Sequence, residues 1–427
     1  MGLVLQLDIC AQMWKNLVMT TLTLSDLAHH LVPVATWEPQ LDNLTRRIAK
    51  RFARTEVREQ ARDYLIGLLS PVERKNGWQL AEHLGHQNPY RVQHLLDRAV
   101  WDDAKVREDL RAYVLENLAD PAGILVIDES GFLKKGDKSV GVQRQYCGTA
   151  GRVENCQVGV FLGYATKKGH TLLDTKLYLP EDWANDAKRR KEAKVPKRVT
   201  FATKPQLAKT MLLDALEESV PAAFVTGDSV YGNDAPLRQF LQERGQAYVL
   251  AIKCDLRLCW EGGQIRAQTL AKRFAPASWQ TLSAGEGAKG PRLFDWAYLP
   301  LDAPEQAGFA QGLLVRRSLS DPTELAYYLV FGSEKTPLAT LVRVAGTRWT
   351  IEVELESAKG EVGLDEYEVR SFHGWYRHMT LCLFAHALLV VLRQQSLPPD
   401  APREKGGRKI PRNSLRRFKQ SRGLCCR

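Results

Sequence analysis

The chain has 427 residues, of which 44% are hydrophobic and 26% are charged. This length allows two or three domains with a substantial core, and the composition is typical of a globular protein rather than a disordered or membrane-embedded one. The eight cysteines form no paired CxxC pattern, which argues against a structural zinc site or a disulfide framework. No secretory segment is visible and the apolar run 380–392 is too short to span a bilayer, so we expect a cytoplasmic protein without a membrane partner.

Positive charge is concentrated in a few segments. The formal net charge is +11, and residues 401–427 hold ten Lys and Arg against one acidic residue, which leaves only +2 for the rest of the chain (11 minus 9). Two further basic clusters, 44–62 and 186–204, are compatible either with solvated surfaces or with phosphate binding. The second cluster favours phosphate binding, and DNA contact is predicted for four of its side chains: Lys188, Arg189, Arg190 and Lys191.

Residues 1–120 are predicted to form a helical N-terminal domain, with few strand signals. Within 76–100, apolar residues follow a helical period on both sides of a Gly-His-Gln-Asn-Pro turn, which predicts a helix, a short turn and a second helix. Two interpretations stay open, an ordinary helical hairpin and a helix-turn-helix that reads DNA. The segment is therefore a candidate DNA-binding domain.

Residues 121–254 alternate strands and helices. "GILVID" predicts a buried strand that ends in Asp128, and "CQVGVFLGYAT" and "TLLDTKLYLP" predict two longer strands. A helix opened by Thr203 and Pro205 follows the second basic cluster. "AFVTGD" then repeats the opening pattern, a strand that ends in Asp228, before another helix and the strand "AYVLAIK". This order is expected of an α/β fold with a ribonuclease-H-like catalytic core.

The rest of the chain divides into three segments by pattern. Residues 255–340 contain short strand-like pieces separated by Gly, Pro and Asp, which predicts a β-strand insertion into the core. Residues 341–396 return to helical patterns and are interpreted as the C-terminal helices of the core. Residues 397–427 have no apolar periodicity and are predicted to be a basic disordered tail, either a basic arm or the product of a frameshift.

A third acid lies on the helix predicted over 346–362. Arg348, Glu352, Glu356 and Lys359 form a polar stripe beside an apolar one, and an amphipathic helix with an Arg–Glu pair would explain this pattern alone. Together with the two strand-end aspartates, however, Glu352 can complete a carboxylate cluster. Glu356 is the serious rival to Glu352, and the other nearby carboxylates that we weighed are Glu129, Glu354 and Glu361.

Three converging carboxylates repel each other unless a cation neutralises them. Mg²⁺ is the expected cation because it binds a few carboxylates together with phosphate oxygens. Two such ions about 3.5–4 Å apart would activate a water or a 3′-hydroxyl and stabilise the leaving oxygen in phosphodiester displacement. We therefore predict that Asp128, Asp228 and Glu352 are metal ligands and catalytic residues.

Three ordered motifs, "VIDESGFLKKGDKSVGVQRQYCGTAGRVENCQVGVFLGYAT", "VTGDSVYG" and "RWTIEVELESAKGEVGLDEYEV", resemble the DDE transposases of bacterial insertion sequences. The resemblance is greatest to the insertion-sequence family numbered seven-oh-one. It implies a ribonuclease-H-like core that uses Mg²⁺, or Mn²⁺ in its place, to cut element ends and join them to target DNA. Asp128, Asp228 and Glu352 match the acidic triad of these enzymes.

The resemblance also implies DNA contacts near the triad. Arg348, Glu352 and Lys359 match an Arg-x3-Glu-x6-Lys signature whose Arg and Lys are associated with DNA, while Ala345 stands where that signature has a tyrosine. Arg377, at the start of a predicted helix, is interpreted as a phosphate contact or as a helix cap.

The implied partners are double-stranded DNA, namely element terminal inverted repeats and target DNA, and further copies of the chain in a homo-oligomer, since two ends must be brought together. We expect the protein at the nucleoid. Two alternatives are kept: an inactive DNA-binding derivative, and a ribonuclease-H-like nuclease that does not join strands.

Overall fold

The computed structural model describes residues 34–287, 290–302 and 308–396. The prediction for residues 1–33 and that for the tail 397–427 lie outside the described residues. From residue 34 to residue 118 the chain is helical, as the sequence pattern predicts. The helices are α1 Val34–Ala49, α2 Thr55–Leu69, α3 Gly77–His83, α4 Tyr90–Gln93, which a π-helical turn His94–Arg98 continues, and α5 Asp103–Leu118.

Helices α3 and α4 form the expected helix–turn–helix arrangement. The side chain of Asn76 accepts hydrogen bonds from the backbone N–H groups of Trp78 and Gln79, which caps the start of α3. Leucines such as Leu80 and Leu95 are buried between the helices and the rest of the protein. The arrangement is compatible with both interpretations of this segment, the helical hairpin and the DNA-reading motif.

Ten strands form one mixed sheet. Its order is β2-β3-β1-β5-β6-β12-β11-β10-β9, with β4 paired to β3 off this path, while β7 and β8 form a separate hairpin. The strands are β1 Ile124–Leu133, β2 Gln143–Cys147, β3 Arg152–Ala165, β4 His170–Tyr178, β5 Phe224–Gly227, β6 Tyr248–Ile252, β7 Arg257–Trp260, β8 Gly263–Arg266, β9 Gln280–Gly287, β10 Gly290–Pro300, β11 Phe309–Arg317 and β12 Leu325–Ser333.

Strand β1 has two neighbours of different length. It runs parallel to β5 only as far as the pair Ile127 and Gly227. It runs antiparallel to β3 over its whole length, as far as the pair Leu133 and Cys156. The prediction that the strand ends at Asp128 is therefore wrong, because the antiparallel pairing with β3 continues for six more residues after the parallel pairing stops.

The strands of the predicted insertion join the sheet of the core. Strand β12 pairs antiparallel with β6, and β11, β10 and β9 follow outward to the sheet edge. Helix α12 (Leu338–Thr347) packs against this extension at Gly346, where a Cβ atom would lie 1.8 Å from the carbonyl oxygen of Ala284. Any larger residue would push the helix away from the sheet. The insertion interrupts the chain between β6 and α12 but continues the same sheet.

The remaining helices lie between the strands or after the last strand in the sequence. They are α6 Glu181–Asn185, α7 Ala187–Glu192, α8 Lys204–Glu217, α9 Ser229–Gly232, α10 Ala235–Glu243, α11 Ala267–Ala271, a 3-10 turn Pro276–Ser278, α12 Leu338–Thr347, α13 Trp349–Val362 and α14 Phe372–Ser396. Thr203 caps α8 as the sequence predicts, since its hydroxyl accepts from the N–H of Gln206 while the Gln206 side chain accepts from the Thr203 N–H.

Helix α14 is the central helix of the molecule. Its 25 residues are long and apolar enough to cross a membrane, which the 13-residue run identified in the sequence is not. However, 89% of its apolar window is buried within the protein. It packs against β4 and α5, so it is accounted for as a core helix. The described protein is thus a mixed α/β structure whose large mixed sheet is consistent with the expected ribonuclease-H-like core.

Candidate active site

Two of the three predicted acids lie next to each other where the parallel pairing of β1 and β5 ends. Ile127 and Gly227 are the last residues paired, and Asp128 and Asp228 follow them directly. One Asp128 carboxylate oxygen accepts a hydrogen bond from the Glu129 N–H at 2.8 Å. Asp228 caps the short helix α9, since its carboxylate accepts from the Val230 N–H at 2.8 Å. Local backbone hydrogen bonds therefore fix both carboxylates at the same edge.

The third acid reaches this edge through Arg348. Glu352 lies in the first turn of α13, and its Oε1 is 3.0 Å from Nη2 of Arg348, one helical turn earlier. Nη1 of the same guanidinium is 3.5 Å from Oδ2 of Asp128. Helix α13 is held over the sheet by its apolar stripe, in which Ile351 and Ala358 are fully buried. The structure thus brings Asp128, Asp228 and Glu352 around one arginine.

Partial burial makes ionisation of the carboxyl groups energetically unfavourable at this site. Desolvation raises the pKa of Asp128 to about 7, although Arg348 lowers it, and repulsion from Asp228 adds to the rise. Burial also raises the pKa of Asp228, and the charge of Glu129 adds to that rise. Desolvation alone would lower the pKa of Arg348, but Asp128, Glu352 and Asp228 raise it. The site holds more negative charge than one guanidinium compensates.

This donor set fits a hard divalent cation. Carboxylate oxygens are the ligands that Mg²⁺ and Mn²⁺ prefer. Within the described ranges no three His, Cys, Asp or Glu side chains converge closely enough to hold one ion, and at this site the guanidinium of Arg348 lies between Asp128 and Glu352. The pKa of Asp128 is raised mainly by desolvation, and the attraction of Arg348 does not offset that rise.

Comparison with known proteins agrees with this arrangement. Residues 41–285, more than half of the chain, match the family described as DDE superfamily endonuclease. The chain belongs to this superfamily. A relative in Microchaete diplosiphon, described as a probable transposase for insertion sequence element IS701, is 29% identical over 192 residues, which is 44% of this chain and 47% of the relative. The chain thus spans about half the length of this relative.

The match confirms the resemblance seen in the sequence and has a clear boundary. It includes β1 and β5 with Asp128 and Asp228, but it ends before Glu352. The endonuclease activity of the superfamily implies a phosphodiester-cleaving enzyme, and such enzymes generally use divalent metals. The structure, not the match, is what connects Glu352 to Asp128 through Arg348.

The rival carboxylates of this DDE protein differ in their surroundings. Glu129 accepts hydrogen bonds from Nζ of Lys204 and from the hydroxyl of Tyr231, both at 2.7 Å, so it is held at the side of the site. Glu354 is 2% exposed and lies 2.6 Å from Nδ1 of His170, on the far face of α13. Glu356 is exposed to solvent. Sequence reasoning missed Lys204 and Tyr231, although Tyr231 belongs to the "VTGDSVYG" motif.

Glu361, the last of these carboxylates, hydrogen-bonds to Ser357 on the helix itself and is not joined to the acidic site. Lys359 lies along β1, beyond the acids. Its Nζ is 3.2 Å from the Thr149 hydroxyl and 3.4 Å from the carbonyl oxygen of Gly131. Burial lowers the pKa of Lys359. The predicted pair Arg348 and Lys359 therefore lies on one face of α13, above β1.

The second basic cluster consists mainly of the short helix α7 and the loop after it. Arg190 donates to the carbonyl oxygens of Ala184, Pro196 and Val199, and Arg189 donates to that of Val142. These two guanidinium groups hold the loop together. Lys188 and Lys191 are exposed, so of the four side chains predicted to contact DNA these two are the ones that point into solvent.

The interpretation of Arg377 as a phosphate contact is wrong. This residue is 7% exposed and donates to the carbonyl oxygens of Leu96 and Trp101. Its guanidinium also lies 5.1 Å from the Trp101 ring centre. Arg377 therefore ties α14 to the end of the N-terminal helices, where no DNA can reach it.

Proposed function

We propose that this chain is a DNA transposase that cleaves strands at the ends of an insertion sequence and transfers them into target DNA. One observation carries the proposal: Asp128 and Asp228 follow the last pair of two adjacent parallel strands, and Arg348 contacts both Asp128 and Glu352. Superfamily membership and the relative described as a probable transposase support the same reaction class.

The proposal includes a division of labour along the chain. Residues 1–120 would bind DNA, while 121–254 and 341–396 would form a ribonuclease-H-like catalytic core with 255–340 as its β-strand insertion. Double-stranded element ends and target DNA are the proposed partners, handled by a homo-oligomer at the nucleoid. Superfamily membership supports a DNA partner in general, and the charge of the basic segments supports phosphate binding.

Asp128, Asp228 and Glu352 would hold Mg²⁺ or Mn²⁺. When bound, such a metal makes a water or 3′-hydroxyl a stronger nucleophile and stabilises the leaving oxygen. The chain's own residues supply the rest. Arg348 balances part of the acidic charge before metal binds, and Lys359 presents a second positive charge on the same helix face, where both can meet phosphate.

The test measures cleavage of DNA that carries the inverted repeats flanking the gene. Sequencing the DNA on either side of the gene would identify these repeats. Asp128→Asn, Asp228→Asn and Glu352→Gln should each abolish cleavage while leaving DNA binding largely intact, because each removes a metal-binding charge with little change in shape. Glu356→Gln is the matched control on the same helix and should cleave at the wild-type rate.

Each other outcome has a definite meaning. A triad variant that cleaves at a near-normal rate would remove that residue from the site. An inactive Glu356→Gln beside an active Glu352→Gln would exchange their roles. Cleavage without strand joining would identify a nuclease, and binding without cleavage by the wild-type chain would identify an inactive DNA-binding derivative.

A further inference from the structure

A polar cleft of about 790 Å³ lies at the far ends of the two elements that carry the acids. One wall is the segment 133–139, which follows β1, and another is the segment 365–370, which follows α13. Arg74, Asn76 and Gln93 of the N-terminal helical region complete the lining. We call this space the distal cleft. It joins the catalytic core to the candidate DNA-binding region.

Positive charge lines the open side of the distal cleft. Its exposed basic residues are Arg74, Lys135, Lys138 and Arg370. Lys138 is 3.7 Å from Glu192, and both side chains are about half exposed. Exposed ion pairs of this kind contribute little to stability, so a DNA phosphate could take the place of Glu192. These side chains come from three separate segments, so their convergence is a property of the fold and not of one charged run.

Of the three acidic residues that line the cleft, Glu366 is half-buried, while Asp365 and Glu368 are exposed. Nζ of Lys134 donates to the Tyr367 carbonyl oxygen at 3.0 Å and lies 3.5 Å from the centre of the Tyr367 ring. Asp365 and Glu368 act electrostatically on this lysine. Glu366 accepts a hydrogen bond from the Lys75 N–H. Four exposed cations thus face two exposed acids, so the exposed lining of the cleft keeps an excess of positive charge.

Two paths give the distance from the acidic site to the distal cleft. Along β1, Asp128 and Lys134 are six residues apart (134 minus 128), which spans about 20 Å at about 3.3 Å per residue. Along α13, Glu352 and Gly363 are eleven residues apart (363 minus 352), which spans about 17 Å at about 1.5 Å per residue. One strand of duplex DNA advances about 3.4 Å per nucleotide, so both paths correspond to about five or six nucleotides.

We infer that the distal cleft binds the phosphodiester backbone of the DNA whose scissile phosphate lies at the acidic site, about five or six nucleotides from that phosphate. The inference rests on the proposed function for the position of the cut. Lys359, at Gly131 between the two places, continues the line of positive charge. Contact at a second, distant point fixes the direction of the strand at the acids, which one point of contact cannot do.

The first experiment measures binding of the full-length chain to a duplex of arbitrary sequence, in EDTA, at several salt concentrations. The variant of the distal cleft combines Lys135→Ala with Lys138→Ala, and we call it the groove variant. The control is Lys167→Ala with Lys168→Ala, two exposed lysines in the β3–β4 turn. Ala165, just before this turn, pairs with Ile124 at the opposite end of β1. Both double variants remove the same charge.

If both cleft lysines contact phosphates, the slope of log K against log salt should fall by about 1.8 in the groove variant, since each lost contact contributes about 0.9. The control should leave the slope unchanged. The inference would be overturned if wild type and the groove variant had the same slope. It would also be overturned if the slope fell equally in the control variant. Thermal melting of both variants checks that the fold is retained.

The second experiment locates the contact. Once the cleavage position of the wild-type chain is mapped with Mn²⁺, duplexes are shortened toward it from either side. When fewer than about five nucleotides remain on one side of the cleavage position, the groove variant should bind the duplex as tightly as wild type does. When more nucleotides remain on that side, the groove variant should bind more weakly than wild type. Equal weakening at every length would overturn the position. A wild-type chain that never cleaves, but shows the lysine-dependent slope, would refute the proposed function and support phosphate binding by the cleft.

Discussion

Replacing Asp128 by Asn should make the metal-free protein more stable above pH 7 while destroying its proposed activity. Burial raises the pKa of Asp128 from 3.8 to about 7, and the attraction of Arg348 is already included in that value. Between these two pH values the folded protein binds a proton that the unfolded chain has released. Stability is therefore lost as pH rises through this window, and the loss is complete above pH 7.

The size of the effect follows from the difference of 3.2 units (7 minus 3.8). At about 1.36 kcal/mol per unit, the ionised Asp128 lowers the free energy of unfolding by about 4 kcal/mol at pH 8, which is an upper limit. An asparagine of similar shape carries no charge and avoids this loss. For a chain of 427 residues, with an unfolding entropy of about 2.1 cal/mol/K per residue, 4 kcal/mol corresponds to a rise in Tm of about 5 °C.

The assay is thermal unfolding in EDTA at pH 8 and at pH 4. The variant should exceed wild type in Tm at pH 8, and the difference should shrink toward pH 4. Asp137→Asn, at an exposed position of the β1–β2 loop, removes the same charge and should change stability by less than about 0.5 kcal/mol. Excess Mg²⁺ should stabilise wild type but not Asp128→Asn. A Tm of the variant at or below that of wild type at pH 8 would show that Asp128 is not penalised by burial.

Two further predictions concern charged residues away from the acids. Lys188→Ala with Lys191→Ala should lower the salt slope of DNA binding by about 1.8 if both contact phosphate; an unchanged slope would make this helix a solvated face. Asp174→Asn should lower the free energy of unfolding by about 3–5 kcal/mol in urea, because it leaves two buried arginines, Arg107 at 3.1 Å and Arg111 at 3.4 Å, without their common partner. A loss below 1 kcal/mol would show that water reaches these arginines.

The sequence predicts the acidic edge because the relevant signals are local. Apolar runs that stop at Asp128 and Asp228 are read from neighbouring residues alone, and the structure confirms that both follow the last pair of adjacent parallel strands. The polar stripe on α13 is equally local, since its members are one helical turn apart. What these signals cannot give is the side chain between the acids. That Arg348 contacts Asp128, 220 residues away, depends on how α13 packs on the sheet.

The predictions that failed are those that depend on distant packing. Arg377 lies near the start of a helix, which is where a phosphate contact is often found. The N-terminal helices cover it, however, and it donates hydrogen bonds to the carbonyl oxygens of Leu96 and Trp101. Asp128 seemed to end its strand because Ser-Gly follows, yet pairing with β3 continues the strand to Leu133. Both cases depend on contacts between residues more than 20 positions apart in the sequence.

Arg348 explains how such a site can fold before any metal is present. Three carboxylates at one edge, with Asp128 and Asp228 both partly buried, would repel each other and oppose folding. A guanidinium on α13 reduces this repulsion while it also fixes Glu352, on the same helix, toward the aspartates. Its compensation is incomplete, as the pKa of Asp128 near 7 indicates. The same incomplete compensation would favour a divalent cation held by these carboxylates, which would supply the positive charge that Arg348 does not.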